Sequence, residues 1–315
     1  MKKIGFLLGF LSILLTSCSK NVTNIVSEFF CFDTYVSIKI YEGCDVTKIE
    51  DIFARYNKLS DNYHSSDITN VYSINQTNEQ ITVTEDLYDL LETSFTMSEK
   101  AGYFNPLCGS LSKKWKDALA DKTILSDDVI ASELIKMNSS KLFFLDNNVI
   151  QREGEAEIDL GGIAKGYSLD TVKKYFDDNN IHQYLINAGS SSVLLGEKNT
   201  KDGLFNVGLK DVKNAYFKAK NCFVSTSSIS EQSEVIDGVT YSHIVNPVNG
   251  SAISKNDAVV VFSDNGALGD ALSTSMMNNT VEEIKNIENE LGVKTIIINN
   301  GQITYSNSSI EVLYH

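Results

Sequence analysis

Three segments of the chain combine residue types that can bind a charged ligand or a metal ion. The first, 159–167 (DLGGIAKGY), is expected to connect the end of a strand to a helix. Its glycines allow close approach of a ligand to the backbone, and the free N–H groups of a helix start attract anions. Lys165 in the first turn is unfavourable for the helix dipole unless an anion is bound. The segment predicts an anion site, with Asp159 as a hydrogen-bond acceptor; a plain strand–turn–helix with a solvated lysine is the alternative.

The second segment, 266–274 (GALGDALST), places Asp270 four residues before Thr274. At this spacing both side chains share one face of a helix. Carboxylate and hydroxyl oxygens are hard donors that suit Mg²⁺, which uses few protein ligands and keeps several waters. The pair predicts a magnesium site, whereas an aspartate N-cap with a buried threonine is the alternative.

The third segment, 241–250 (YSHIVNPVNG), ends a strand at His243 and then turns twice. An imidazole at such an edge can act as a base, although a structural histidine is the alternative. The turn at 187–192 (NAGSSS) and aromatic residues at Tyr63 and 103–106 (YFNP) add surfaces that could line a ligand. Together these features suggest a nucleotide diphosphate handled with Mg²⁺, because phosphoryl transfer needs mainly positioning and charge neutralisation.

The elements that must position these residues alternate irregularly between helix and strand, which predicts an α+β fold. We expect helices at 46–59, 84–100, 111–119, 163–179, 270–278 and 280–291, with Thr84 as an N-cap. We expect a hairpin at 141–151, a strand ending at 157–160, and strands at 29–41, 184–186, 191–196, 204–210, 215–226, 239–245, 259–262, 294–298 and 303–305.

The composition is that of a globular protein, and the net charge of −14 argues against nucleic acid as a partner. Four cysteines follow Cys18, and none forms a CxxC pair, so zinc and thioredoxin-like chemistry are not indicated. Two disulfides could form in any of three pairings. The absence of a spacing framework favours mostly free, buried thiols at Cys31, Cys44, Cys108 and Cys222.

The first seventeen residues have the pattern of an export signal. Two lysines precede an apolar run at 4–15, which is too short to span a bilayer, and the sequence LTSC ends at Cys18. We expect cleavage before Cys18, lipid on its sulfur and attachment to the outer face of a cell membrane. An ordinary signal peptide with a chance cysteine is the alternative. The predicted organisation is a signal at 1–17, a tether at 18–28 and one domain at 29–315.

The order of these motifs resembles the ApbE family, the FAD:protein FMN transferases, many of which are lipoproteins. The resemblance runs from 32–35 (FDTY) through 159–170 and 187–189 to the Asp270 helix. It implies a T-fold-related architecture with mixed or antiparallel sheets, flanking helices and an FAD cleft between two closely packed lobes. FAD would be the substrate and Mg²⁺ the cofactor. FMN would pass by phosphoester to a Ser or Thr of a flavoprotein in an extracytoplasmic or membrane redox complex, with release of AMP.

Carried onto this sequence, the resemblance implies a role for each of twelve residues. His243 matches the catalytic histidine, and Asp270, Thr274 and the Gly162 backbone match the metal site, with Asp270 also essential for catalysis. The positions that match FAD contacts are Phe32, Tyr63, Tyr103, Phe104, Asn105, Asp159, Lys165 and Ile244.

The chain departs from the family pattern around the expected flavin pocket. The family usually has Met-Gly-Thr at 32–34, Asp at Asn105 and Asn246, a second glycine at Ser190, and Thr-Ser-Gly near 225–228. The metal pair, Lys165 and His243 are retained, so we expect an active enzyme. Two alternatives remain at this stage: a Mg²⁺-dependent FAD pyrophosphatase that gives FMN and AMP, and a non-catalytic FAD-binding lipoprotein.

Overall fold

The structure, a computed structural model, describes residues 24–315. The expected signal peptide and Cys18 lie outside these residues. The strands are β1 (Ile25–Cys31), β2 (Thr34–Ile40), β3 (Gln80–Thr82), β4 (Lys141–Leu145), β5 (Val149–Glu153), β6 (Tyr184–Ala188), β7 (Ser192–Leu195), β8 (Phe205–Gly208), β9 (Ala215–Ala219), β10 (Cys222–Ser228), β11 (Ser233–Ile236), β12 (Val239–Ser242), β13 (Ala258–Ser263), β14 (Lys294–Asn299), β15 (Gln302–Ser306) and β16 (Val312–Tyr314).

The helices flank these strands on the outside of the sheets. They are α1 (Val46–Ser60), α2 (Val71–Asn75), α3 (Glu85–Ala101), α4 (Gly109–Ala120), α5 (Asp127–Ser139), α6 (Ala164–Asp178), α7 (Gly266–Met276) and α8 (Val281–Leu291), with a short 3-10 helix at Pro106–Cys108. No helix within residues 24–315 is both long enough and apolar enough to cross a bilayer.

The main sheet has eight strands in the order β1-β2-β6-β7-β10-β13-β14-β15, and every neighbouring pair is antiparallel. Smaller sheets are formed by β3-β5-β4, β16-β9-β8 and β11-β12. The predicted α+β class with antiparallel sheets and flanking helices is therefore confirmed.

The main sheet is buried on both faces over most of its width. On one face α1 and α6 cover the β2–β6 region through Phe53 and Phe176, while α3 and α7 cover β13 through a second cluster. On the other face the β8–β9–β16 sheet packs through Phe217 against β7, β10, β13 and β14. Strands β13 and β14, which are covered on both faces, carry almost continuous apolar side chains, as expected for strands buried on both faces.

The predicted strand at 29–41 is wrong, because the chain turns back at Phe32 and Asp33. Both residues have a left-handed backbone conformation, with φ of 53° and 54°. A two-residue type I′ turn requires this at both positions and usually selects Asn or Gly. Since β1 already begins at Ile25, residues 25–28 of the predicted tether belong to the sheet instead.

Three other predicted elements differ from the structure. Residues 157–160 form no strand; the Asp159 N–H donates to the Pro106 carbonyl at 2.8 Å, which ties this segment to the 3-10 helix. The predicted strand at 215–226 is divided by a turn at Asn221, which has a φ of 50°. Helix α7 begins at Gly266 with Asn265 as its N-cap, four residues before the predicted start at Asp270.

Local capping residues define the starts of two helices. The Thr84 side chain accepts from the Leu87 N–H and caps α3, as expected. Thr280 and Glu283 form a reciprocal capping box at the start of α8. The predicted hairpin at 141–151 is also confirmed as β4 and β5.

The four cysteines of the described chain are free thiols, which confirms the main part of that prediction. Only Cys31 is buried; Cys44, Cys108 and Cys222 are partly exposed. Desolvation raises the pKa of Cys31 to about 11 and that of Cys108 to about 12. These thiols are therefore protonated at neutral pH and are poor nucleophiles.

Candidate active site

A cleft of about 430 Å³ opens where the tips of two hairpins, β1–β2 and β6–β7, meet α7 and the loops at 103–108, 159–165 and 243–247. Residues from distant parts of the chain converge there. Eleven of the twelve predicted site residues line this cleft: Phe32, Tyr103, Phe104, Asn105, Asp159, Gly162, Lys165, His243, Ile244, Asp270 and Thr274.

Tyr63 is the predicted site residue that does not line the cleft. Its exposed ring lies 5.0 Å from Lys116 Nζ and 5.9 Å from Lys113 Nζ. Its N–H donates to Asp61 Oδ1 at 2.7 Å, which fixes the loop after α1. The sequence signal here was a single aromatic in a polar loop, so its predicted contact with FAD has no support from its position.

Asp270 is the most constrained side chain of the cleft. It is only 6% exposed, and it lies in the middle of α7 rather than at a helix start. Oδ1 accepts from Ser225 Oγ at 2.6 Å, Oδ2 accepts from the Gly166 N–H at 2.7 Å, and Ser192 Oγ lies 2.9 Å from both oxygens. These three donors hold the carboxylate in one orientation and leave about one of its roughly four acceptor sites open to a ligand.

The charge on Asp270 is costly in this position. Burial raises the pKa of Asp270, while Lys165 and the serine and backbone donors lower it. A cation in front of the carboxylate would oppose the effect of burial. A buried aspartate with an unfavourable charge and a fixed orientation is therefore suited to bind one.

Thr274 lies one turn after Asp270 on the same helix, and its Oγ1 is 3.4 Å from Ser227 Oγ. A Cβ added at Gly162 would lie 3.4 Å from Thr274 Oγ1 and 3.1 Å from the Phe104 ring. The Gly162 backbone thus packs directly against the threonine and the aromatic wall of the cleft. A larger side chain at 162 would have to displace one of them.

The donor set fits a hard cation such as Mg²⁺. It consists of one carboxylate, one hydroxyl and a nearby backbone, which leaves coordination positions for water and for oxygens of a bound phosphate. Within residues 24–315 no group of three His, Cys, Asp or Glu side chains is arranged to hold a metal ion. By the chemistry of their oxygens, Asp270, Thr274 and the Gly162 backbone are the groups in the cleft that would hold Mg²⁺.

Lys165 lies in the first turn of α6, and its charge lowers the pKa values of two carboxylates, those of Asp159 and Asp270. Burial raises the pKa of Asp159, and Lys165, Lys116 and the Gly161 N–H oppose this shift. The Gly161 N–H donates to Asp159 Oδ1 at 2.7 Å, which orders the turn between the glycines. The sequence predicted an anion at the start of α6. The Asp270 carboxylate partly fills this role, because it accepts a hydrogen bond from the Gly166 N–H.

Helices α6 and α7 cap each other. Asp170 of α6 accepts from the Gly266 N–H at 2.6 Å and the Ala267 N–H at 2.9 Å, at the start of α7. Asp270 of α7 in turn accepts from the Gly166 N–H, at the start of α6. The backbones touch, since a Cβ at Gly166 would lie 2.1 Å from the Gly266 carbonyl oxygen. Such contact requires glycine at both positions.

His243 follows β12 directly and reaches the cleft from the rim. Its ring nitrogen Nδ1 lies 3.1 Å from the Gln232 carbonyl oxygen, and its backbone N–H donates to the same oxygen at 3.1 Å. A carbonyl can only accept, so Nδ1 carries the proton of the neutral ring and Nε2 keeps its lone pair. Burial of the ring lowers the pKa of His243, although one side of the residue is open to solvent. The neutral form, which can act as a base, is therefore favoured.

The loop at 103–108 forms the aromatic wall. The Tyr103 N–H donates to Ser275 Oγ at 3.1 Å, which ties the loop to α7. Asn105 accepts from the Leu107 N–H at 2.9 Å and caps the 3-10 helix, so the amide does there what an aspartate would do. Asn246 likewise accepts from the Val248 N–H at 2.9 Å and holds the turn after Ile244.

Sequence reasoning missed the residues that orient Asp270 and His243. In the sequence, Ser192 and Ser225 are only parts of small-residue segments, and no local pattern distinguishes Gln232. Ser192 and Ser225 lie 78 and 45 residues from Asp270 along the chain. No local spacing signals such contacts; they require the strand order β7-β10 beside α7.

Comparison with known proteins finds a family and several proteins that are similar to this chain. A model of the ApbE family matches residues 32–297. An FAD:protein FMN transferase of Treponema pallidum is 27% identical over 217 residues, 62% of this chain and 60% of the relative. One of Rhodobacter capsulatus is 26% identical over 204 residues, 62% of this chain and 39% of the relative. The alignments thus span less than two thirds of these two relatives.

Solved structures share the fold. The ApbE protein of Thermotoga maritima matches with a TM-score of 0.77 and 24% identity, over 91% of this chain and 98% of that chain. The flavin transferase ApbE of Vibrio cholerae matches with a TM-score of 0.75 and 19% identity, over the same shares of both chains. At these identities the likeness concerns the fold.

Proposed function

The chain belongs to the ApbE family, and from this membership and the geometry of the cleft we propose that it is a Mg²⁺-dependent FAD:protein FMN transferase. The reaction would cleave the FAD pyrophosphate, attach FMN by phosphoester to a Ser or Thr of a target flavoprotein and release AMP. The observation that carries this proposal is the convergence of Asp270, Thr274, Lys165 and His243 in one cleft. The names of the relatives support it.

The cleft supplies the charges that pyrophosphate cleavage needs. Bound Mg²⁺ would neutralise the negative charge of the pyrophosphate and of the departing AMP. Asp270, Thr274 and the Gly162 backbone would hold it, and Lys165 would contact the phosphates directly. Phe32, Tyr103 and Phe104 line the cleft with aromatic surface on which a flat ring can stack.

His243 is placed to accept the proton of the acceptor hydroxyl. The hydroxyl oxygen would form the new bond to the FMN phosphorus, the phosphorus–oxygen bond to AMP would break, and the proton would pass to Nε2. The Gln232 carbonyl holds the Nδ1 proton, so the tautomer with a free Nε2 is the one present. Because burial lowers the pKa of His243, this base is neutral at physiological pH.

The location of the enzyme is part of the proposal. A lipid on Cys18 would hold the domain at the outer face of the cell membrane, beside redox complexes whose flavoprotein domains face the same side. A short tether raises the effective concentration of such targets. Globomycin treatment of expressing cells, which blocks lipoprotein signal cleavage, should retain the signal on the protein; a Cys18→Ser variant should lose membrane attachment.

The transferase is tested by incubating the purified protein with FAD, Mg²⁺ and candidate target flavoproteins. We expect covalent FMN on the target by mass spectrometry and an equal amount of AMP. The solvent-open side of His243 also admits water, which favours a second candidate, an FAD pyrophosphatase. Release of FMN and AMP without a target would support that reading.

One variant distinguishes the two enzymatic functions, transferase and pyrophosphatase, from a role as an FAD carrier. Asp270→Ala should abolish turnover if the cleft is catalytic, with FAD binding measured in parallel. A carrier would bind FAD without turnover in the wild-type protein and would be unaffected in function by this substitution.

A further inference from the structure

The main sheet has an outer face, opposite to the helices α1 and α6, and no other described element covers this face at the β1 end of the sheet. The β8–β9–β16 layer covers β7, β10, β13 and β14 but does not reach the β1–β2 hairpin. Three large apolar side chains are exposed there: Val26 is 71%, Phe30 62% and Tyr35 64% exposed. The Phe30 and Tyr35 rings pack edge to face with centroids 5.4 Å apart. This packed pair of exposed aromatic rings is an apolar surface that a partner can cover, whereas Val26 lies farther along β1, beyond Glu28.

The same hairpin also ends the sheet. Within the described residues β1 has a strand partner on one side only. The two-residue turn makes Cys31 and Thr34 the pair that closes the hairpin. Hydrogen bonds alternate in an antiparallel pair, so the N–H and C=O groups of Phe30, Glu28 and Val26 point away from β2. Agreeing with this alternation, the Tyr35 carbonyl, opposite Phe30, accepts from Gly189 of β6–β7 instead.

This free edge leads directly to the cleft. The turn residues Phe32, Asp33 and Thr34 line it. Thr34 packs against Gly189, where a Cβ would lie 2.5 Å from Thr34 Oγ1. The adjoining turn carries Ser192, which contacts Asp270. A chain that followed β1 past its turn would thus arrive at the residues that act on the phosphates.

We propose that the free edge of β1 and the bare outer face of the β1–β2 hairpin dock an extended segment of the target protein. This rests on the proposed transferase function and names the surface that presents its second substrate. The segment would add a strand beside β1, cover Phe30 and Tyr35 with its side chains and carry its Ser or Thr past the hairpin turn into the cleft. A protein fits better than a lipid surface, because a row of outward N–H and C=O groups can pair with another backbone, which lipid does not offer.

The main-chain contact is tested by Glu28→Pro with Glu28→Ala as the matched control. Proline removes one outward N–H without touching the β2 ladder, and edge strands tolerate it. The probe is a soluble acceptor flavoprotein domain that the wild-type enzyme flavinylates. E28P should raise the KM for this domain about fivefold over E28A, the effect of one lost hydrogen bond. The KM for FAD and the melting temperature should not change.

The side-chain contact is tested by Phe30→Ser combined with Tyr35→Ser. Loss of both aromatic anchors should raise the KM for the acceptor domain about tenfold or more. Ile135→Ser, on α5 and 69% exposed, removes a comparable apolar group elsewhere and should leave the KM unchanged. The kcat at saturating acceptor should stay within about twofold of wild type, because binding and not chemistry is affected.

Each outcome decides the proposal. An unchanged KM for the acceptor in both E28P and F30S/Y35S overturns the docking surface while leaving the transferase intact. Weaker binding to anionic phospholipid vesicles, without any change in KM, would show that the face meets a membrane and would also overturn it. If the wild-type protein flavinylates no acceptor, the proposed function fails and the docking surface fails with it.

Discussion

Replacing Ser225 by alanine should separate the orientation of Asp270 from its chemistry. The Ser225 hydroxyl is buried and donates to Asp270 Oδ1 at 2.6 Å. A hydrogen bond to a charged group contributes about 1.5–3 kcal/mol. Alanine leaves a buried carboxylate short of one donor, so we expect the free energy of unfolding of the metal-free protein to fall by about 2 kcal/mol at neutral pH. At about 2.1 cal/mol/K of unfolding entropy per residue, the melting temperature of a domain of this size should drop by about 3 °C.

The same change should weaken metal binding. With Ser225 absent, Asp270 is held by Ser192 and the Gly166 N–H alone and can rotate away from Thr274. Loss of a residue that orients a metal ligand typically lowers metal affinity about 10–100-fold. Two measurements check this: calorimetric titration with Mg²⁺ in the presence of FAD, and the Mg²⁺ dependence of FMN transfer.

Ser94→Ala is the matched control, because Ser94 is equally buried and donates at 2.6 Å to a neutral acceptor, the Leu90 carbonyl. Ser94→Ala should lower the free energy of unfolding by about 1 kcal/mol and leave the Mg²⁺ dependence of FMN transfer unchanged. Double-mutant cycles with Asp270→Asn should give a coupling of about 1–2 kcal/mol for Ser225 and near zero for Ser94. Equal losses for the two serines, with no change in Mg²⁺ affinity, would refute the reasoning.

Three further perturbations test the cleft. Gly166→Ala places a Cβ 2.1 Å from the Gly266 carbonyl oxygen, so calorimetric unfolding should show a loss of about 3 kcal/mol and transfer should nearly vanish. Because burial lowers the pKa of His243 from 6.5, the pH–rate profile should stay flat at neutral pH and fall only below pH 6.5, and His243→Gln should remove this acid limb with most of the rate. Burial raises the pKa of Asp170 to about 6 from 3.8, so the folded state retains a proton that the unfolded state releases between these values. Stability should therefore decline by up to about 3 kcal/mol as pH rises through this window, and Asp170→Asn should show a flatter pH dependence of the melting temperature.

The sequence predicted what depends on local spacing. Amphipathic periodicity and a threonine N-cap located α3 within a residue or two, and the Asp270–Thr274 spacing placed both side chains on one helix facing the cleft. The resemblance then related motifs that are far apart in sequence, which is why eleven predicted residues meet in one cleft. Their roles in binding and catalysis stay predictions that the variants above test.

What the sequence left undetermined depends on tertiary contacts. The β1–β2 turn was missed because Phe32 is not a typical left-handed residue, although Asp33 is of a type that tolerates this conformation. Left-handed residues other than glycine are strained, and here the Asn57 side chain accepts from the Phe32 N–H at 3.0 Å while Phe32 packs on Phe53. Contacts from α1, made only after folding, therefore stabilise the turn.

The mutual capping of α6 and α7 explains why the two motifs act as a unit despite being a hundred residues apart. Asp170 satisfies the start of α7 and Asp270 satisfies the start of α6, while the two glycine backbones allow the helices to touch. The carboxylate that would bind Mg²⁺ is thus also an acceptor in the helix–helix contact. A substitution that moves either helix must move the metal ligand as well, so stability and metal affinity should change together in this pair of motifs. At Thr274, whose hydroxyl makes a long hydrogen bond of 3.4 Å with Ser227, metal affinity should instead change with little loss of stability.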